Sequence, residues 1–160
     1  GSEMCIRDRI RMAEMYLNLA EILIELDALE NTTGRLEEAK GLIDKIRVRA
    51  GIPTIDEAWK KANHPEKANT AEGLREIVRR ERQIEFYLEN QRFWDLRRWK
   101  DAGILGEKVW GMNIEGDTDE TFFVPTELQN IRTFKQAQYL MPIPMTETNK
   151  VPHIVQNPGY

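Results

Sequence analysis

The chain has little of what nucleophilic or metal-dependent chemistry is built from. Among its 160 residues there is one cysteine, Cys5, and one serine, Ser2. A single cysteine excludes an internal disulfide and any multi-cysteine zinc site. A Ser-His-Asp arrangement has no serine outside the first nine residues. The two histidines, His64 and His153, are far apart, adjoin prolines and fit no ligand-spaced pattern such as HExxH, so both read as loop histidines. No glycine cluster follows a strand pattern, which removes a phosphate-binding loop. Positive charge is not in excess: the formal net charge is −4 and the pI about 5.4, so a nucleic-acid partner is not expected. No run of about 18 apolar residues occurs, and no stretch has the pattern of a secretory signal.

What is present is helical periodicity. A length of 160 residues is that of one domain, and 41% apolar residues supply a core. From Ile10 to Leu29 two apolar stripes interleave at steps of three and four, Ile10/Ala13/Leu17/Ala20/Ile24 and Met12/Tyr16/Leu19/Leu23/Leu26. Only a narrow strip, Glu14, Asn18, Glu21 and Glu25, is polar, so this helix must be covered on most sides. After the polar break at Asn31–Gly34, a second stripe runs through Leu36, Ala39, Ile43, Ile46 and Ala50, and Gly51 and Pro53 stop it. The pair, residues 10–51, resembles a tetratricopeptide-type hairpin with a longer loop than that repeat allows. One such unit cannot bury its own faces, so it needs stacking partners.

Residues 52–69 read as a loop. Thr70 then caps a third helix carrying Leu74, Ile77, Val78, Ile84 and Leu88, supported by Glu72–Arg75 and Glu76–Arg80 pairs along its surface. A short fourth helix follows from Arg92 to Lys100, after a turn in which Asn90 can take the left-handed conformation. Beyond Asp101 the helical pattern fades. Residues 101–160 read as irregular and extended, rich in glycine up to Gly116 and in proline towards the end. The expectation is an all-α fold: a tetratricopeptide-like hairpin, two further helices across 70–100, and a loop-rich, proline-rich C-terminal segment fixed by packing onto the helices.

Two phrases carry a family resemblance. ERQIEFYLENQRFWDLRRW, from Glu81 to Trp99, is followed by YLMPIP and then VPHIVQNPGY, ending at Tyr160. Together, and in this order, they resemble the C-terminal region of the SusD/RagB family, outer-membrane lipoproteins that capture nutrients. The resemblance covers the chain from about Ile10 onward, but only a part of a family member. The opening GSEMCIRDR, residues 1–9, fits neither the family pattern nor the periodicity and reads as a non-native, adapter-like leader.

The resemblance implies cell-surface binding of a glycan or related nutrient, nutrient uptake without catalysis, and delivery to a SusC-like TonB-dependent transporter. It implies no cofactor. It also implies that the export signal and the lipidated anchor belong to an N-terminal part outside this sequence. The marked positions Glu81, Arg82, Glu85, Arg92, Asp95, Arg98 and Trp99 are expected to be structural, with carboxylates paired to arginines so that the third and fourth helices lock together. Removing one member of such a buried pair typically costs about 3–5 kcal/mol, which accounts for the pattern without catalysis.

A glycan reading makes the tryptophans the residues to follow, because sugar rings stack an apolar face on indole. Trp94 and Trp99 have helical spacing within the motif and are expected in the core. Trp59 and Trp110 fall in loops, where binding residues are usually carried, and are the candidate ligand contacts, Trp110 first. The acidic run Glu115, Asp117, Asp119, Glu120 lacks the order of a calcium loop and reads as a hydrated turn. Two other functions remain open: a helical-repeat adaptor, marked by an exposed apolar groove, and a carbohydrate-active enzyme, marked by two carboxylates about 5–10 Å apart across a cleft.

Overall fold

The structure is a computed structural model that describes residues 11–128, 132–151 and 153–160. The expected leader at residues 1–9 lies outside the described residues. Seven α-helices and one two-stranded hairpin are described, in agreement with an all-α class. The chain forms two compact units, one ending at Arg92 and one running from Phe93 to Tyr160.

In the first unit, α1 (Met12–Glu30) and α2 (Leu36–Arg49) form the expected hairpin, and α4 (Ala71–Glu85) packs against α1 and also against α2. Leu17, Ala20, Ile24, Ala39, Ile43, Leu74 and Val78 are fully buried between them. The first stripe of α1 is therefore the core stripe. Met12, Leu19 and Leu26 of the second stripe are exposed, together with Met15, Ile22 and Leu29. Three residues of the polar strip of α1 meet arginines of α4. Asn18 Oδ1 accepts from Arg82 of α4 at 2.6 Å, Glu21 lies 4.0 Å from the same guanidinium, and Glu25 accepts two bonds from Arg75 at 2.6 and 2.7 Å. Arg75, expected to pair with Glu72 within α4, thus bonds across the α1–α4 interface instead.

The long α1–α2 loop is ordered by a carboxylate that periodicity does not reveal. Asp27, fully buried, accepts from the Thr32 hydroxyl at 2.7 Å, the Arg35 backbone N–H at 2.7 Å and the Arg35 guanidinium at 2.9 Å. Asn31 closes α1 in the left-handed conformation at φ 53°. Asparagine tolerates that region better than most residues.

Two readings in this unit are corrected. Residues 52–69 are not only loop: they hold α3 (Ile55–Lys61) and a 3₁₀ turn (Pro65–Asn69). Thr54 and Glu57 form a reciprocal capping box at the start of α3, a signal legible in the sequence Thr-Ile-Asp-Glu. On α4, Ile84 and Leu88 are exposed and Phe86 is buried instead. The inward face runs from Leu74, Ile77 and Val78 into the charged Glu81 and Arg82, and the helix ends at Glu85, so a stripe extrapolated to Leu88 leaves the helix. Leu88 and Asn90 both have positive φ, 65° and 64°, in the turn that follows.

The second unit begins within α5 (Gln91–Arg98). A 3₁₀ turn (Ala102–Gly106) leads to β1 (Trp110–Met112), the short α6 (Asp119–Phe122) and β2 (Pro125–Glu127). The tail carries a 3₁₀ turn (Gln136–Tyr139) and α7 (Met145–Lys150). Helix in the proline-rich tail was not expected. Pro144 sits at the N-cap of α7, where a missing N–H costs nothing, so proline starts this helix rather than preventing it.

The two halves of the terminal phrase are bonded to each other. Gln156 accepts from Ile143 N–H and donates to Ile143 C=O, each at 2.8 Å. Asn157 Nδ2 donates to Met141 C=O at 2.6 Å, and the Tyr160 hydroxyl to Leu140 C=O at 3.1 Å. Arg97 of α5 donates to Gln138 C=O at 2.9 Å, and Tyr139 donates to Lys100 C=O at 2.6 Å. Among the described residues the tail is held by backbone-directed side-chain bonds, two of which join it to α5 and to Lys100. No described helix is long and apolar enough to cross a membrane.

Candidate functional site

Of the motif residues, the carboxylates Glu81, Glu85 and Asp95 are engaged in ion pairs. Glu81 accepts from Arg47 of α2, with both side chains about nine-tenths buried. Glu85 takes Arg11 at 2.8 Å and Arg49 at 2.7 Å. Arg82 lies over the Phe86 ring, 5.3 Å from its centroid. These described pairs tie α4 to α2 and to the start of α1. In the second unit, buried Asp95 pairs with Arg98 at 2.9 Å, and Arg98 lies 5.2 Å from the Trp99 ring. Arg92 and Trp99 are half-buried. A carboxylate whose oxygens are already engaged by arginine is poorly placed to reach a scissile bond.

The tryptophans part company. Trp59, on α3, is half-buried against the core with Lys67 Nζ 5.3 Å from its ring. Trp94 is not a core residue: it is 51% exposed and meets Phe93 edge-on at 5.1 Å. The spacing that placed it in the core is that of α5, whose buried side is Asp95 and Leu96. Trp110 is 61% exposed.

Trp110 owes its position to a well-determined hairpin. β1 and β2 are antiparallel, with Trp110 opposite Glu127, Gly111 opposite Thr126 and Met112 opposite Pro125. Directly opposed residues share a face, and alternate residues along a strand do too. One face therefore carries Lys108, Trp110, Met112, Pro125 and Glu127. The Lys108–Glu127 ion pair, 2.7 Å long, closes beside the indole. The other face is occupied at Gly111 by Leu128, whose side chain would lie 3.1 Å from any added Cβ. Gly111 thus lets Leu128 seat on one side while the indole stands free on the other.

The connection between the strands is locked as well. Asn113 N–H donates to Phe122 C=O at 3.1 Å and its side-chain amide to Thr121 C=O at 3.2 Å. Thr118 and Thr121 cap α6 reciprocally. A Cβ on Gly116 would fall 2.5 Å from Phe122 N, so the loop closes only around glycine there. The strands lay beyond helical pattern analysis because each is three residues long. The alternation Lys108, Trp110, Met112 was the one available signal.

A shallow pocket of about 410 Å³ opens elsewhere in the second unit, lined by Lys100, Gln136, Ala137, Tyr139, Leu140, Pro158 and Gly159. Its Tyr139 hydroxyl is already spent on Lys100 C=O, and Lys100 Nζ lies 5.1 Å from the Tyr139 ring. His64 is exposed with Nδ1 3.1 Å from Glu66. Among the described residues no group of three or more potential ligands is arranged to hold a metal ion, the acidic run at 115–120 included.

With this geometry established, comparison with known proteins decides the family. The SusD family model matches residues 6–160. The chain belongs to the SusD family. It is 30% identical over 158 residues to SusD-like protein P2 of Formosa agariphila, covering 94% of this chain and 25% of that protein. A crystal structure of a SusD-like protein from Bacteroides fragilis superposes with a TM-score of 0.73 at 36% identity, covering 94% of this chain and 25% of the other. A SusD-like carbohydrate binding protein from the same species gives 0.62 at 30% identity, covering 89% and 27%. This SusD-family chain therefore spans about a quarter of the length of these relatives.

Proposed function

We propose that this SusD-family segment belongs to a non-catalytic, surface-exposed outer-membrane lipoprotein that binds an oligosaccharide and passes it to a SusC-like TonB-dependent transporter. Family membership supports the class, and a relative described as carbohydrate binding supports the ligand. Within this segment the contact is assigned to Trp110. The observation that carries it is an indole left 61% exposed on a hairpin whose turn, opposite face and flanking ion pair are all fixed. A preformed aromatic face loses little entropy on binding, and this suits weak multiple contacts followed by release. Trp59, half-buried with a lysine over its ring, offers less open face and is the secondary candidate.

The non-catalytic part of the reading is supported by the pairing of Glu81, Glu85 and Asp95 with arginines. It is tested by incubating the full-length protein with labelled oligosaccharides and following chain length. Retention on immobilised glycan without cleavage is expected; shortening of the chain would replace this reading with a hydrolase. Co-purification of the transporter with the tagged full-length protein tests the delivery role, and a full-length protein that isolates alone would remove it.

A further inference from the structure

We infer that the Trp110 hairpin selects an uncharged oligosaccharide over an anionic one, an inference that rests on the reading of Trp110 as the stacking face. Between residues 107 and 128 there are six carboxylates, Glu107, Glu115, Asp117, Asp119, Glu120 and Glu127, and a single cationic side chain, Lys108. All six are exposed. Lys108 is one cation among six carboxylates, and its ammonium is already shared with Glu127 at 2.7 Å.

The indole face is therefore apolar and bordered by a self-neutralised pair, within a hairpin of strongly negative sign. A neutral sugar ring meets this face on favourable terms. Its C–H face lies on the indole, and its hydroxyls can bond both Lys108 and Glu127, each of which keeps donor or acceptor capacity beyond their shared bond. A uronate or sulfate ester placed on the same ring would meet Glu127, the residue opposite Trp110, within a hairpin whose carboxylates outnumber its one lysine. It would have to be desolvated with only Lys108, already shared with Glu127, to receive it. Like-charge juxtaposition of this kind excludes wrong partners more than it strengthens right ones.

The experiment is calorimetric titration of the full-length protein with hexasaccharides of matched length. Maltohexaose, cellohexaose and mannohexaose are the neutral probes, and the glucuronate and mannuronate hexamers the anionic ones. At low salt the best neutral hexamer is expected to bind at least about tenfold more tightly than the best uronate, with the gap narrowing as salt is raised through about 0.3 M. Trp110→Ala should weaken the preferred binding by about tenfold or more. A triple replacement, Glu115→Gln, Asp117→Asn and Glu120→Gln, should raise uronate affinity several-fold at low salt and leave neutral affinity unchanged. A uronate that binds as tightly as any neutral hexamer, and does so through Trp110, overturns the selectivity while leaving the stacking face intact. Neutral binding indifferent to Trp110→Ala, or no binding by any probe, overturns the stacking reading itself.

Discussion

Gln156 and Ile143 exchange two hydrogen bonds through a single side-chain amide, which mimics a strand pairing between the PIP and QNPGY segments. Thirteen residues apart, they explain why both phrases occur together: the second is the hydrogen-bonding complement of the first. Proline cannot donate to a ladder, so a segment punctuated by Pro142 and Pro144 needs side chains for partners.

Gln156→Ala should therefore leave the Ile143 N–H and C=O without partners and cost about 1–3 kcal/mol. Urea unfolding of the wild type and variant measures it, and amide hydrogen exchange at Ile143 should accelerate. Gly159→Ala should act on the same element, since φ is +92° and the added Cβ would fall 2.7 Å from that of Ala137. Full stability in both variants would show that the tail is held by something else.

Breaking the Arg47–Glu81 pair should be more severe. Both side chains are about nine-tenths buried, so Glu81→Ala leaves a guanidinium in a nearly dry site. The expected loss is about 3–5 kcal/mol. Glu81→Gln, which keeps the shape and an acceptor, should lose less. Chemical denaturation ranks the two, and a Glu81→Gln variant as stable as the wild type would mean that shape rather than charge pairing is what the site requires.

Acid should weaken the α1 interfaces. Burial pushes the Asp27 carboxyl up, but bonds from Thr32, the Arg35 backbone and the Arg35 guanidinium together hold it below the ordinary aspartate range. The Arg75 bond, the largest influence on Glu25, holds that carboxyl below its usual value against partial burial. A carboxylate whose folded pKa is depressed contributes stability that is complete above the unfolded value, about 3.9–4.3, and is lost as pH falls through the folded value. Asp44 runs the other way: burial, its largest influence, holds it above the ordinary range, so its ionisation opposes folding as pH rises. Unfolding free energy measured from pH 7 to pH 3 should fall towards acid, and Asp27→Asn should flatten the limb. An unchanged slope in that variant would assign the acid sensitivity elsewhere.

The helices were legible because burial imposes a period that apolar residues repeat. The stripe Ala13, Leu17, Ala20, Ile24 could be read directly, as could the Thr70 cap and the left-handed Asn90. What α1 does with its other sides could not. Glu21 and Glu25 look solvated by type, yet they face arginines supplied from 50 or more residues away, and pairing at that range leaves no local period. Asp27 is hidden in the same way, because its partners lie in the loop it orders. For the site, the loop expected at Trp110 is strand β1, but its placement outside the helices was readable from its glycine neighbours. The register that sets it opposite Glu127 and beside Lys108 was not, since three-residue strands carry too little alternation to declare themselves.

The central claim is that Trp110 is a ligand-stacking face, and calorimetry on the full-length protein with and without Trp110→Ala tests it most directly. Loss of one stacking aromatic typically costs about 1–3 kcal/mol, by analogy with base–aromatic stacking. Since about 1.4 kcal/mol is a decade in affinity, glycan binding should weaken by roughly tenfold or more. The thermal midpoint should not move, because Trp110 is 61% exposed and is not a member of the buried core. Unchanged affinity at an unchanged midpoint would contradict the account and leave this segment a scaffold for a site carried elsewhere.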